Sequence, residues 1–257
     1  MEQLSQALAG RHAVVTGGAR GIGAAITRAL VSHEAKVTML GRSSAPPLEL
    51  AANPHLQYVQ ADVCAPESLP RAFDSARARF GPVHILVNNA GQGRSAPFLK
   101  TDFALWRSMI QINLDGAFHC MHAVLPAMLE AGWGRIVNVA STAGLTGYGY
   151  VSAYCAAKHG VIGLTRSLAI EVATKGITVN AVCPGYTETE MLQQTIDGIV
   201  AKTGRTAAEA REILSSQNPQ KRMIQPEEVA NAVAWLCLPG SDAITGQSIA
   251  VAGGEVM

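Results

Sequence analysis

Short apolar runs alternate with longer stretches of helical periodicity along the whole chain. Residues 12–16, 36–40, 56–61, 83–88, 135–140, 177–183 and 247–252 read as strands. The fourth of these, VHILVN, shows no polar alternation, as a strand covered on both faces requires. Helical patterns fill 22–30, 66–80, 102–131, 151–174 and 226–238. Pro66 and Pro226 stand in first turns, where a missing N–H loses nothing. Pro46, Pro47 and Pro54 allow at most one helical turn over 43–55. Residues 186–224 are polar and Gln-rich with no strand signal. Strands separated by helices predict right-handed crossovers and a parallel sheet with helices on both faces. No repeat, low-complexity tract or linker divides residues 1–257, so the expected fold is a single α/β domain, doubly wound, of about seven strands.

Composition narrows the function classes. The 257 residues are 48% apolar and 15% charged, which supports a large core and excludes a disordered chain. Lys and Arg number 20 against 19 Asp and Glu, so the basic excess of a nucleic-acid binder is missing. Charges or glycines interrupt every apolar stretch before the roughly 18 residues a membrane span needs. Residues 1–10 carry Glu2 and no long apolar run, so no secretory leader is expected. Cys64, Cys120, Cys155, Cys183 and Cys237 are odd in number and never form a C-x-x-C pair. Reduced thiols and a cytoplasmic location are expected. His119 and His122 have helical i, i+3 spacing, but only Cys120 adjoins them, so no metal site is expected.

Candidate chemistry gathers where strands end. Between the first strand and the first helix runs Thr16-Gly-Gly-Ala-Arg-Gly-Ile-Gly23, with the glycines that matter, Gly17, Gly21 and Gly23, spaced G-x-x-x-G-x-G. Such a turn lets backbone amides and a helix N-terminus meet a diphosphate, which makes the sheet Rossmann-type. The second strand ends Leu40-Gly41-Arg42-Ser43. An acidic residue there would bind a ribose diol and repel a 2′-phosphate. Gly41 stands instead, and Arg42 and Arg20 provide two guanidiniums, so NADP(H) is expected over NAD(H), which Gly41 does not repel. Asp62-Val63 closes the third strand, and Asn88-Asn89-Ala90-Gly91 closes the fourth; Asn side chains can brace loop backbone and line a crevice.

Ser141 follows the fifth strand, and Tyr154 and Lys158 share one helix face at i, i+4. An ammonium beside a phenol favours the phenolate, so Lys158 is expected to lower the Tyr154 pKa and make Tyr154 a general acid or base. Ser141 can donate to a carbonyl oxygen on which charge develops.

Thr16-Gly-x-x-x-Gly-Ile-Gly23, Asp62-Val63, Asn88-Asn-Ala-Gly91, Asn113, Ser141, Tyr154-x-x-x-Lys158 and Pro184-Gly185 occur together and in order. Over roughly residues 10–253 the chain resembles the short-chain dehydrogenase/reductases. The resemblance implies that Tyr154 exchanges a proton with the substrate oxygen, that Lys158 assists it and binds the nicotinamide ribose, and that Ser141 orients the carbonyl. It implies that Asn113, at a kink between two helices, holds a water linking Lys158 to solvent. Gly17, Gly21, Ile22 and Gly23 would face the diphosphate, Asp62 and Val63 the adenine, with Asn88 nearby. Pro184, Gly185, Thr187 and Thr189 would hold the carboxamide end. It further implies a homotetramer and no metal.

Residues 186–222 are expected to form a lid over the substrate, with Met191, Leu192, Ile196, Ile199 and Val200 as an apolar set for an acyl or aromatic group. The stretches at 176–185 and 225–231 look like those of 3-oxoacyl-thioester reductases and polyketide ketoreductases. Basic residues that would dock an acidic carrier protein are thinned: 129–133 reads LEAGW and 169–171 reads AIE, with Arg135 remaining. A coenzyme A thioester is therefore expected as substrate, and Arg94 is a candidate for a CoA phosphate. The alternatives are a small ketone, secondary alcohol or cyclic diol, and, from another class, a non-catalytic dinucleotide-binding protein. Four intact residues, Asn113, Ser141, Tyr154 and Lys158, argue against the last.

Overall fold

The computed structural model describes residues 6–44 and 53–257. Among these, seven strands form one parallel sheet in the order β3-β2-β1-β4-β5-β6-β7. They are β1 (His12–Thr16), β2 (Lys36–Gly41), β3 (Leu56–Gln60), β4 (Ile85–Asn88), β5 (Gly134–Val139), β6 (Ile177–Pro184) and β7 (Ser248–Val251). The chain winds outward from β1 to β3, then returns to place β4 beside β1. That reversal opens a crevice at the carboxyl ends of the two central strands.

Strand residues alternate between two cores. Ala13, Val15, Ile85, Val87, Val137 and Val139 face one side, where α1 (Gly21–Ser32) and α8 (Pro226–Cys237) pack. Val14, Leu86, Ile136 and Val179 face the other, covered by α2 (Leu69–Phe80), α4 (Gly116–Ala131) and α5 (Ser152–Glu171). Burial on both faces explains why these strands read as unbroken apolar runs.

Three departures from the sequence reading have local causes. The helix expected from Pro66 begins as a 3-10 turn, Pro66–Ser68, and becomes α-helical only at Leu69. Pro70 has no N–H to bond the Pro66 carbonyl, so a continuous α-helix cannot start earlier. The helix expected over 102–131 divides into α3 (Phe103–Ile110), capped by Asp102 accepting from the Leu105 N–H at 2.8 Å, a π turn at Gln111–Asp115, and α4. The polar stretch 186–224 contains α6 (Glu190–Thr203) and α7 (Ala207–Ser216). These share a small core of their own, Leu192, Ile196, Ala210, Leu214 and Met223. Two members of the apolar set expected to face substrate, Leu192 and Ile196, are thus consumed in the hairpin, while Met191 stays exposed. The proline-rich stretch lies mostly outside the described residues.

At the amino end of the sheet His12 is fully buried, its ring nitrogens 2.9 Å from the Thr38 hydroxyl and 2.9 Å from the Gly81 carbonyl. Burial pushes its pKa down to about 4. The unfolded chain takes up this proton near pH 6.5 and the folded one only near 4, so stability is full above about 6.5 and falls as pH drops through that window. From pH 7 to 4.5 the His12 contribution to unfolding free energy should fall by about 2 kcal/mol. In urea titrations His12→Gln should flatten that part of the pH dependence. An equal slope in the variant would remove His12 as its source.

Candidate active site

The turns that carry chemistry all leave the carboxyl edge of the sheet. The Thr16 hydroxyl, ending β1, accepts the N–H groups of Asn89 at 3.0 Å and Ala90 at 2.9 Å, just past β4. The Asn89 amide returns bonds to the carbonyls of Thr16 at 2.9 Å and Gly17 at 3.3 Å. These four bonds pin the glycine turn across the crevice. Gly17 has φ +64°, and a Cβ on Gly23 would lie 2.1 Å from the Gly17 oxygen, so the turn closes only over bare backbone. No side chain caps α1 and no acid stands in its first turn. Its first N–H groups and positive helix end fit the diphosphate of a dinucleotide.

At the end of β2 the structure explains the missing acid. A Cβ on Gly41 would meet the Tyr58 hydroxyl at 2.7 Å, and that hydroxyl donates to the Ser43 carbonyl at 2.8 Å. The Arg42 carbonyl accepts from Gln60 at 2.9 Å, which leaves the Arg42 side chain exposed at the strand end. Arg20 has a partner that the sequence did not announce. Its guanidinium lies 3.4 Å from Glu190, the first residue of α6, with both side chains exposed. The acid satisfies it in place of a phosphate, although exposed pairs contribute only about 0–1 kcal/mol. Asp62 turns inward, Oδ1 accepting from the Cys64 N–H at 2.9 Å, and Val63 packs against Gly116.

Ser141 caps a short turn after β5, its hydroxyl accepting from the Ala143 N–H at 3.1 Å and hydrogen-bonded to the Tyr154 phenol. Lys158, on α5 with Tyr154, is buried; its ammonium donates to the Val139 carbonyl at 2.8 Å and lies 5.6 Å from the centre of the Tyr154 ring. Asn113 sits buried in the π turn. Its amide donates to the carbonyls of Gln92 at 2.9 Å and Met109 at 3.0 Å, and its oxygen accepts the Gln92 N–H at 3.2 Å. A Cβ on Gly91 would lie 2.8 Å from that oxygen and 3.6 Å from the Lys158 ammonium, so one bare residue separates the two groups.

The expected direction of the tyrosine shift is overturned. Burial pushes Tyr154 up to about 12, against the opposing pull of the Ser141 hydrogen bond, and burial draws Lys158 down to about 8. The ammonium points at Val139, leaving the phenol oxygen to Ser141, so desolvation outweighs charge and the phenol keeps its proton.

A family model for short chain dehydrogenases matches residues 11–200. The chain belongs to the short-chain dehydrogenase/reductase family. It is thereby an oxidoreductase acting on hydroxyl or keto groups, of a family that binds NAD(P). It is 39% identical over 249 residues to a putative ketoacyl reductase of Streptomyces coelicolor, covering 94% of this chain and 95% of the relative. It is 37% identical to the 3-oxoacyl-[acyl-carrier-protein] reductase FabG of Escherichia coli, covering 96% and 98%. A crystal structure of a variant actinorhodin polyketide ketoreductase with NADPH superimposes with a TM-score of 0.90 at 36% identity, covering 95% of this chain and 97% of that one.

The structure places the remaining rim residues as follows. Thr187 is buried, its hydroxyl donating to the Gly185 carbonyl at 3.0 Å, and Thr189 caps α6. Arg135, read as a surviving docking charge, is 1% exposed. It is held by Asp242, by the carbonyls of Gly134 and Gly176, and against Trp133, so it cannot meet a partner. Arg94 is exposed in the loop after β4. His119 and His122 pack around Phe118, and among the described residues no group of three or more potential ligands gathers around a metal position. The bond from the Tyr148 hydroxyl to Glu255 was not anticipated. Tyr148 and Glu255 lie 107 positions apart, and no local pattern joins them.

The cradle's closure over Gly23 is testable. Gly23→Ala should cost about 1–3 kcal/mol of stability by overpacking, and titration with NADPH should show affinity at least tenfold weaker. Unchanged affinity would mean that the diphosphate does not sit at this turn.

Proposed function

We propose that the protein is an NADP(H)-preferring reductase of 3-oxoacyl thioesters, run by Ser141, Tyr154, Lys158 and Asn113. The observation that carries this reading is the half-buried Tyr154 phenol beside the buried Lys158 ammonium, 5.6 Å from its ring centre, at the turn that Ser141 caps. A bound nicotinamide dinucleotide supplies the hydride for such a reaction. Ser141 orients the carbonyl oxygen, and Tyr154 delivers its proton to that oxygen as charge builds there. Lys158 stabilises the phenolate left behind, held in place by Val139. Asn113 braces the Gln92 backbone beside it, and a water on Asn113 would return the proton from solvent.

The dinucleotide fits between the glycine turn, with Gly17, Gly21, Ile22 and Gly23 at the diphosphate, and Pro184, Gly185, Thr187 and Thr189 at the carboxamide end. Asp62 and Val63 flank the adenine side; Asn89, Ala90 and Gly91 form the floor. Preference for NADP(H) rests on Arg42 with Ser43 at a strand end that carries no acid, where the Tyr58 ring lies over Gly41. Arg20 joins them on releasing Glu190. Residues 186–222 act as the lid.

The names of the FabG and ketoacyl reductase relatives favour a 3-oxoacyl substrate, and the former favours a carrier-protein thioester over the coenzyme A expected from sequence. Arg135 offers such a carrier no charge, while Arg94 is open to either. Exposed Phe118 on α4 and Ile170 on α5 support association of copies, as in a homotetramer. Five free cysteines support a reducing compartment such as the cytoplasm.

The test is loss of nicotinamide absorbance with acetoacetyl-CoA and with an acetoacetyl carrier protein, each run with NADPH and NADH. Faster loss with NADPH on either thioester is expected, with Arg42→Ala narrowing the preference at least tenfold. Turnover only with NADH would overturn the cofactor assignment. Turnover of small ketones or alcohols but of neither thioester would overturn the substrate class.

A further inference from the structure

The turn that follows β2 is braced from two directions. The Gly17 N–H, opening the glycine turn, donates to the Leu40 carbonyl at 2.7 Å, so residues 41–43 leave the sheet beside that turn. The Arg42 carbonyl accepts from the Gln60 side chain at 2.9 Å, and the Ser43 carbonyl accepts from the Tyr58 hydroxyl at 2.8 Å. Both of these braces come from β3, where Tyr58 pairs with Met39 and Gln60 with Gly41. Arg42 and Ser43 stay exposed, and none of the ion pairs among the described residues takes the Arg42 guanidinium. The turn thus has its carbonyls held and its side chains open.

Gly41 is bare for reasons of space. Its φ is not positive, its carbonyl accepts the Ala61 N–H at 2.8 Å, and it pairs in register with Gln60, so its backbone is ordinary strand. What a side chain there would meet is the Tyr58 ring: a Cβ would stand 2.7 Å from the phenol oxygen and 3.1 and 3.3 Å from two ring carbons. A glycine within a strand marks such a close approach. The body of Tyr58 packs against the core beneath α1, which fixes the other side of the ring. A side chain at 41 would push the phenol aside, and a displaced phenol gives up Ser43.

From this arrangement we infer that Tyr58 is a positioning residue for the 2′-phosphate of the cofactor: admitted over the bare Gly41, it holds the Arg42–Ser43 turn in the shape that receives the phosphate. This rests on the NADP(H) reading of the β2 end. Its physical content is preorganisation. A turn already held at both carbonyls loses less freedom on binding, and the gain appears only with a ligand that uses the turn. NADPH and NADH differ only in that phosphate, so the pair isolates the effect.

The experiment titrates NADPH and NADH, followed by nicotinamide fluorescence, into the wild type, Tyr58→Phe, Gly41→Ala, Tyr58→Leu and the last two combined. The readout is the ratio of the two affinities. Tyr58→Phe keeps the ring and removes the bond to Ser43, so the ratio should shift about three- to tenfold toward NADH. Gly41→Ala should shift it comparably by displacing the same phenol. In the Tyr58→Leu background no phenol remains to be displaced, and Gly41→Ala should change the ratio by less than about twofold. A Tyr58→Phe ratio within twofold of wild type overturns the inference, and so does a Gly41→Ala effect of equal size in both backgrounds. An equal loss of affinity for both cofactors leaves the ratio unmoved and overturns it as well, because it marks a tyrosine that serves the fold alone. Should Tyr58→Leu fail to fold, the Tyr58→Phe ratio decides. A wild type that binds NADH at least as tightly as NADPH overturns the NADP(H) reading and the inference with it, whereas an NADPH preference indifferent to Tyr58 overturns the inference only.

Discussion

A lysine ammonium buried behind the carboxyl edge of the sheet makes demands on everything around it. Lys158 is 4% exposed, and its one hydrogen-bond acceptor within the described residues is the Val139 carbonyl. Leaving a charge so poorly solvated costs several kcal/mol, and its lowered pKa reflects that cost. The fold tolerates it because β5 ends with its last carbonyl turned toward α5, and because the bare Gly91 lets the Asn113 oxygen stand close by. The π turn follows from the same demand. A regular helix through 111–115 would keep the Asn113 amide away from Gln92, so one widened turn is the cost of aiming it.

The crevice depends on a second, neutral lock. Four bonds join Thr16 and Gly17 at the end of β1 to Asn89 and Ala90 past β4, and the glycine turn hangs from them. Sheet topology makes this possible, because β4 lies beside β1 only where the winding reverses. The glycine turn and Ser141 are thus anchored on neighbouring strands, β1, β4 and β5, buried on both faces. At the periphery α6 and α7 carry their own small core.

The fold was legible because double-sided burial writes unbroken apolar runs such as ILVN, and those runs cannot be mistaken for amphipathic strands. The site was legible because glycines, Ser141 and the Tyr154–Lys158 pair sit at the ends of such runs. What escaped the sequence depended on distance or on competing local chemistry. The Thr206-x-x-Glu209 capping box announces α7, yet the polar composition around it hid the helix. Arg20 faces Glu190 and Arg135 is sealed by Asp242, pairings that span 170 and 107 positions. The sign of the Tyr154 shift was missed because spacing reports which groups share a helix face, and not which way an ammonium points or how deeply both are buried.

Tyr154 is proposed to deliver the proton to the substrate oxygen. Replacing it by phenylalanine keeps the ring and removes only the hydroxyl. The most direct measurement is single-turnover reduction of an acetoacetyl thioester by Tyr154→Phe, beside NADPH affinity of the same preparation. The rate should fall about 10²–10⁴-fold, with affinity changed by less than a few fold. Full turnover with intact NADPH binding would contradict it.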